Sequence, residues 1–294
     1  MSLSLGITLP QFSPDAHDLV AGARKAEDLG LDSIWVFDHM WPLSGKKVRP
    51  MLECWTSLAY VAEATRSITI GTLVTRSTLR HPALLAKMAS TVGSIAPQRT
   101  IVGLGSGDAM SADENRAFGF AYFAGPDRIA QLRSSVRLLR AWFDGTTVDV
   151  GDEFHSVREL PVSPRPEIPP RIWMGGRSDS LIELAREYGD GWNAWGVDLD
   201  ELASGIAKLA GSARPVEITW AGTLIIGADD ADAGAQLGER DPAGYLVGGP
   251  QTVADRLGEL EEAGVTHAVL TPLEWGDGRT LDLVGNRVAP LVRG

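Results

Sequence analysis

Two adjacent side chains could do proton chemistry. Asp38 and His39 follow Ser33-Ile-Trp-Val-Phe37, a run that reads as a β-strand. Imidazole titrates near neutrality, so a histidine can serve as a general base, and a neighbouring carboxylate can tune or orient it. The plainer alternative is a histidine that only hydrogen-bonds a loop. A second candidate is Gly175-Gly-Arg-Ser178, which precedes a predicted helix over Ser180–Tyr188. Glycines allow close backbone approach, and a helix N-terminus offers free N–H groups to an anion. The alternative there is a tight turn between strand and helix. Ser106, Gly107 and Asp108 follow another strand-like run, and Thr75, Arg76 and Ser77 follow a third.

Other chemistries lack their residues. The five histidines contain no H-x-x-x-H pair, and the one cysteine, Cys54, cannot build a sulfur site, so no metal centre is expected. Ser106 lacks the G-x-S-x-G frame of a nucleophile elbow, since Leu104 and Asp108 flank it. His81, in Arg80-His-Pro-Ala, opens a predicted helix and reads as structural. His267 enters a strand from its N-terminal side and is given no role.

The elements that must position these residues alternate along the whole chain. Strand-like runs lie near Leu3–Leu9, Ser33–Phe37, Ile68–Val74, Thr100–Gly105, Arg171–Met174, Gly191–Trp195, Glu217–Ile226 and His267–Pro272. Amphipathic helical stretches separate them, a pattern that implies a parallel sheet with crossover helices. Gly30 and Gly264 each stand where a helix closes and a strand begins, a position that suits a residue without Cβ. Gly103-Leu-Gly-Ser-Gly107 departs from G-x-G-x-x-G because Asp108 takes the third glycine position, so no dinucleotide fingerprint favours an open sheet. The expected fold is therefore α/β, a (β/α)8 TIM barrel forming one domain over residues 1–294, with an insertion after the fourth strand at 108–170. That insertion should hold a helix over Pro126–Phe143 and a small hairpin of Val148–Val150 and Glu153–Val157. In such barrels the strand C-termini carry the active site, which raises the standing of Asp38, His39 and Asp108.

Composition bounds the rest. A net charge of −11 argues against a phosphate-backbone binder, so no nucleic-acid partner is expected. No apolar stretch is long enough to span a bilayer, Met1 to Gly6 does not read as a signal peptide, and a single cysteine suits a reducing cytoplasm. Nine tryptophans are many; Trp35, Trp173, Trp195 and Trp220 fall in or near strands, and barrel packing is the simpler reading over a ring-binding pocket.

Several strings taken together are similar to the luciferase-like monooxygenase superfamily, which includes the deazaflavin (F420)-dependent oxidoreductases. They are Gly6-Ile-Thr-Leu-Pro10, Leu29-Gly-Leu-Asp-Ser-Ile-Trp-Val-Phe-Asp-His39, Ile70-Gly-Thr-Leu-Val-Thr75 with Arg80-His-Pro-Ala-Leu-Leu-Ala-Lys87, Val102-Gly-Leu-Gly-Ser-Gly107, Pro170-Arg-Ile-Trp-Met-Gly-Gly176, Tyr188-Gly-Asp-Gly-Trp192 and Gly248-Gly-Pro-Gln-Thr-Val-Ala-Asp-Arg-Leu257. Their order and spacing span nearly the whole chain.

The resemblance implies a barrel that binds F420, with FMN as the alternative, at the strand C-termini. It implies a homodimer, a small-molecule substrate and a separate reductase supplying reduced cofactor. It places Asp38 and His39 as the acid–histidine pair and Asp108 as an assisting acid. Leu73 and Val74 match a bulge under the ring, a non-proline cis peptide in F420 members. Ser106 and Gly107 match the fourth-strand turn, and Met174, Gly175, Gly176 and Ser178 the cofactor phosphate loop. Trp41-Pro42-Leu43 departs from the Pro-Trp order of the sugar-phosphate-oxidising relatives, which puts a sugar phosphate in doubt. The implied activity is hydride transfer between F420 and a small organic substrate, with His39 handling the proton. An FMN-dependent monooxygenase and a non-catalytic flavin-binding barrel are the alternatives.

Overall fold

The structure, a computed structural model, describes residues 3–42, 47–145, 147–275 and 278–294. Leu43 of the Trp41-Pro42-Leu43 string lies outside them. Eight parallel strands close on themselves: β1 (Ser4–Thr8), β2 (Ser33–Val36), β3 (Thr69–Thr72), β5 (Thr100–Gly105), β8 (Arg171–Gly175), β9 (Gly191–Trp195), β10 (Glu217–Ile226) and β12 (His267–Pro272). β1 pairs with both β2 and β12, which completes the ring. The eight strand runs expected from the sequence are these eight. Gly30 and Gly264 sit at positive φ, 72° and 103°, as helix-closing residues.

The third strand differs from its expected span. It stops at Thr72, passes through a cis Leu73–Val74 peptide, and resumes as β4 (Thr75–Arg76), which pairs with β5 alone. Side-chain bonds hold the break: Thr72 Oγ1 donates to Gly103 O at 2.9 Å, and Thr75 Oγ1 donates to Thr72 Oγ1 at 2.9 Å. A short strand not foreseen, β11 (Tyr245–Gly248), adds to the far half of β10 outside the ring. Four residues between glycines give too little periodicity to read.

Alternation along each strand divides the apolar residues into two cores. Ile34 and Val36 of β2 face the helix layer, while Trp35 faces the barrel interior with Leu73, Ile101, Trp173, Ala221 and Val269. Trp35 and Trp173 stack at 4.7 Å between centroids. Two indoles fit because glycines face them. A Cβ at Gly71 would lie 2.4 Å from Trp35 Cζ3, and one at Gly191 2.4 Å from Trp173 Cδ1.

The excursion between β5 and β8 carries α4 (Ser111–Phe118), α5 (Gly125–Asp144) and a hairpin of β6 (Thr147–Gly151) and β7 (Ser156–Pro161). The hairpin turn falls later than expected, because Asp152 accepts the N–H groups of Phe154 and His155 and draws those residues into the turn. α4 was not foreseen, and it carries a central side chain of the site. No helix among the described residues is long and apolar enough to cross a membrane.

Candidate active site

The polar residues past β2 diverge. Asp38 is buried, and its carboxylate is fully occupied. Arg80 Nη1 donates to Oδ2 at 2.6 Å and Nη2 to Oδ1 at 3.0 Å, a two-point clamp, while the Arg76 N–H donates to Oδ2 at 2.9 Å. Arg76 Nε also donates to Asp38 O at 2.9 Å. Arg80 reaches on to Glu53 Oε1 at 2.9 Å, at the start of α2 (Cys54–Ala64). Asp38 is thus the brace that locks the end of β2 to β4 and to the entry of α3 (Pro82–Ile95).

His39 faces a different carboxylate. Its Nδ1 lies 3.0 Å from Glu114 Oε2, contributed by α4. Glu114 has no exposed surface; its Oε1 also accepts the Met40 N–H and the Trp41 N–H at 3.2 Å, and Arg76 Nη2 lies 2.8 Å from Oε2 as an ion pair. Burial alone would raise the Glu114 pKa. The His39 and Met40 hydrogen bonds and the Arg76 charge outweigh it and hold the carboxyl below its usual range. Glu114 is therefore ionised at neutral pH and can only accept. Nδ1 of His39 must then carry a proton, so in the neutral form of the ring the lone pair is at Nε2. Nε2 has no hydrogen-bond partner among the described residues, and the side chain keeps 18% of its surface. That is the electronic state of a general base open to a small molecule.

The remaining expected residues surround this pair in different ways. Asp108 is exposed; its Oδ1 accepts the Ser111 N–H and Oγ–H, both at 3.0 Å, so it ties down the start of α4 and makes no bond to His39. Ser106 Oγ donates to Gly107 O at 3.1 Å, and Gly107 turns the chain at φ 71°. Leu73 is buried, while Val74 is half-buried and projects between Gly105 and Gly175; a Cβ on Gly175 would lie 2.5 Å from Val74 Cγ1. Met174 is fully buried in the helix-side core. Gly176, at φ 142°, leads to Ser178, the N-cap of α6 (Asp179–Tyr188). Ser178 makes no side-chain capping bond; its carbonyl accepts the Leu181 N–H at 2.9 Å, and the Asp179 and Ser180 N–H groups are the ones an anion could meet.

Glu114 is the residue that reading the sequence did not single out. Its one trace is the acidic first turn of Ser111-Ala-Asp-Glu-Asn115, which also reads as an ordinary helix start. His81 caps α3, its Nδ1 accepting the Ala83 N–H at 3.2 Å.

Comparison with known proteins now adds to the geometry. The family model described as luciferase-like monooxygenase matches residues 3–245. An F420-dependent glucose-6-phosphate dehydrogenase from Beutenbergia cavernae is 32% identical over 185 residues, 62% of this chain and 53% of that protein. An F420-dependent hydroxymycolic acid dehydrogenase from Mycobacterium tuberculosis is 30% identical over 212 residues, 72% of this chain and 58% of that protein. The matched region thus spans little more than half the length of these relatives. A solved F420-dependent secondary alcohol dehydrogenase, in complex with an F420-acetone adduct, superposes over 100% of both chains with a TM-score of 0.87 at 20% identity. EDTA monooxygenase from Chelativorans sp. BNC1 superposes over 100% of this chain and 94% of its own with a TM-score of 0.84 at 14% identity. At those identities the likeness is one of fold.

Proposed function

The chain belongs to the luciferase-like monooxygenase family, and on that premise we propose that it is an F420-dependent oxidoreductase that moves a hydride to or from a small organic substrate while His39 moves the proton. The observation that carries this reading is the open Nε2 of His39, whose ring is held by a buried, ionised Glu114 at its other nitrogen. The F420-dependent relatives support the choice of cofactor.

The residues present fit such a cofactor. The shelf at Leu73 and Val74 lies at the strand ends, where a flat ring could rest, and the uncapped start of α6 with Gly176 and Ser178 suits a phosphate. When bound, the deazaflavin ring supplies the hydride acceptor or donor. In the oxidising direction His39 Nε2 takes the substrate hydroxyl proton, and Glu114 stabilises the resulting imidazolium. Asp38 acts as a positioning residue through Arg76 and Arg80, and Asp108 does so through α4. The same reading carries a homodimer, checked by sedimentation, and a separate reductase that keeps the cofactor reduced.

Fluorescence titration of the purified protein with F420 and with FMN tests the proposal. F420 should bind and FMN should bind far more weakly. Tight FMN binding without F420 affinity would turn the reading to a monooxygenase fed with reduced flavin.

A further inference from the structure

Among the described residues the two arginines beside His39 are held in ion pairs, and large side chains left open near it are aromatic. Arg76 and Arg80 are buried on Glu114 and Asp38, and the Asn193 amide donates to Thr219 Oγ1 at 2.9 Å. Two residues before His39, Phe37 meets Trp195 edge-on at 6.1 Å and Phe12 at 6.4 Å. Two residues after it, Trp41 meets Phe118 at 5.9 Å. Phe118 sits one turn beyond Glu114 on α4 and stacks on Phe120. Trp195, the last residue of β9, shares the interior-facing alternation of Gly191 and Asn193, yet it keeps 40% of its surface; Phe118 keeps 49%. Two described cations of this loop cover rings as well: Lys47 lies 4.3 Å over Trp41 and 3.8 Å from Asp113, and Arg49 lies 5.9 Å from Phe12.

We infer that this site takes an uncharged, largely apolar substrate, gripped between the Phe37–Trp195 wall and the Trp41–Phe118 wall, and that Trp195 and Phe118 set its specificity. The inference rests on the oxidoreductase reading for its reaction but concerns binding alone. A sugar phosphate would need two or more unpaired cations beside His39, and the arginines there are already neutralised. An apolar body would instead cover aromatic surface that now meets water.

The test uses F420-loaded protein and measures binding by calorimetry, with 1-phenylethanol and acetophenone as apolar probes and glucose 6-phosphate as the charged one. The apolar probes should bind, glucose 6-phosphate should not at millimolar concentration, and Trp195→Ala should weaken apolar binding about tenfold. Trp195→Phe should restore most of it, with circular dichroism showing both variants folded. Tighter binding of glucose 6-phosphate than of the apolar probes, lost in Arg49→Ala, would overturn the inference, as would unchanged apolar binding in folded Trp195→Ala and Phe118→Ala proteins. Turnover separates the two readings. Apolar binding without any hydride transfer in the wild type counts against the oxidoreductase alone, whereas hydride transfer with glucose 6-phosphate counts against the apolar site alone.

Discussion

One barrel holds two histidine–glutamate pairs at opposite ends, and they are built for different purposes. At the N-terminal ends of the strands, His267 keeps 4% of its surface. Its Nε2 lies 2.6 Å from Ser33 Oγ, which also accepts the Trp35 indole N–H, and its Nδ1 lies 3.7 Å from Glu217. Trp173 and Trp35 meet its ring edge-on at 5.0 and 6.1 Å. Burial raises the Glu217 pKa, but His267 and Arg171 together pull it below its usual range. Both ring nitrogens of His267 face protein, so the pair closes the floor of the barrel. At the C-terminal ends, His39 has the same kind of partner on one nitrogen and, among the described residues, no hydrogen-bond partner on the other. A buried glutamate is common to both histidines; what differs is the ring nitrogen left open at the unfilled end of the barrel, the end where such folds carry their active sites.

The largest expected effect comes from removing the upper glutamate. Glu114→Ala leaves Arg76 buried without its partner and should cost about 3–5 kcal/mol of stability, read by urea denaturation, as well as abolish F420-linked turnover. His39→Ala should separate the two quantities. Turnover should fall by about 10²–10⁴-fold while stability changes less than in Glu114→Ala, because this ring keeps an edge open to solvent and no buried charge loses its only partner. An unimpaired His39→Ala enzyme would break the comparison and remove His39 from the proton chemistry. His267→Ala should do the reverse: a loss of about 2–3 kcal/mol with kcat nearly unchanged in whatever protein remains folded.

Acid should weaken both ends in the same direction. The folded-state pKa values of Glu114 and Glu217 lie below the ordinary 4.5, so their stabilisation is complete above that value and is lost as pH falls through the lowered one. The smallest effect belongs to Glu27, also at the floor. Burial raises its pKa, but the N–H groups of Ser67, Ile68 and Arg66 and the Ser67 hydroxyl bring it down to about 2. Glu27→Gln should lower Tm by a few degrees at neutral pH, and its difference from wild type should shrink as pH falls from 4.5 towards 2. A gap in Tm that stays constant down to pH 2 would remove Glu27 from the floor's electrostatics.

The sequence by itself determined the barrel, because eight β-type runs alternating with amphipathic helices leave few other ways to bury every apolar face. It placed His39 at the open end as well, since a histidine just past a strand of such a barrel stands there. It also indicated the uncapped glycine turn before α6. The tertiary structure decided which carboxylate serves His39. Adjacent residues at a strand end point to opposite sides, and that period-two alternation runs from Trp35 and Phe37 on the interior to Asp38 on the helix side. Asp38 was therefore turned away from His39 and towards Arg80, however suggestive their adjacency. The partner came instead from Glu114, 75 residues on, in a helix whose sequence reads as surface. A local pattern fixes which way a side chain faces, but only the closed barrel brings the excursion after β5 back over the end of β2.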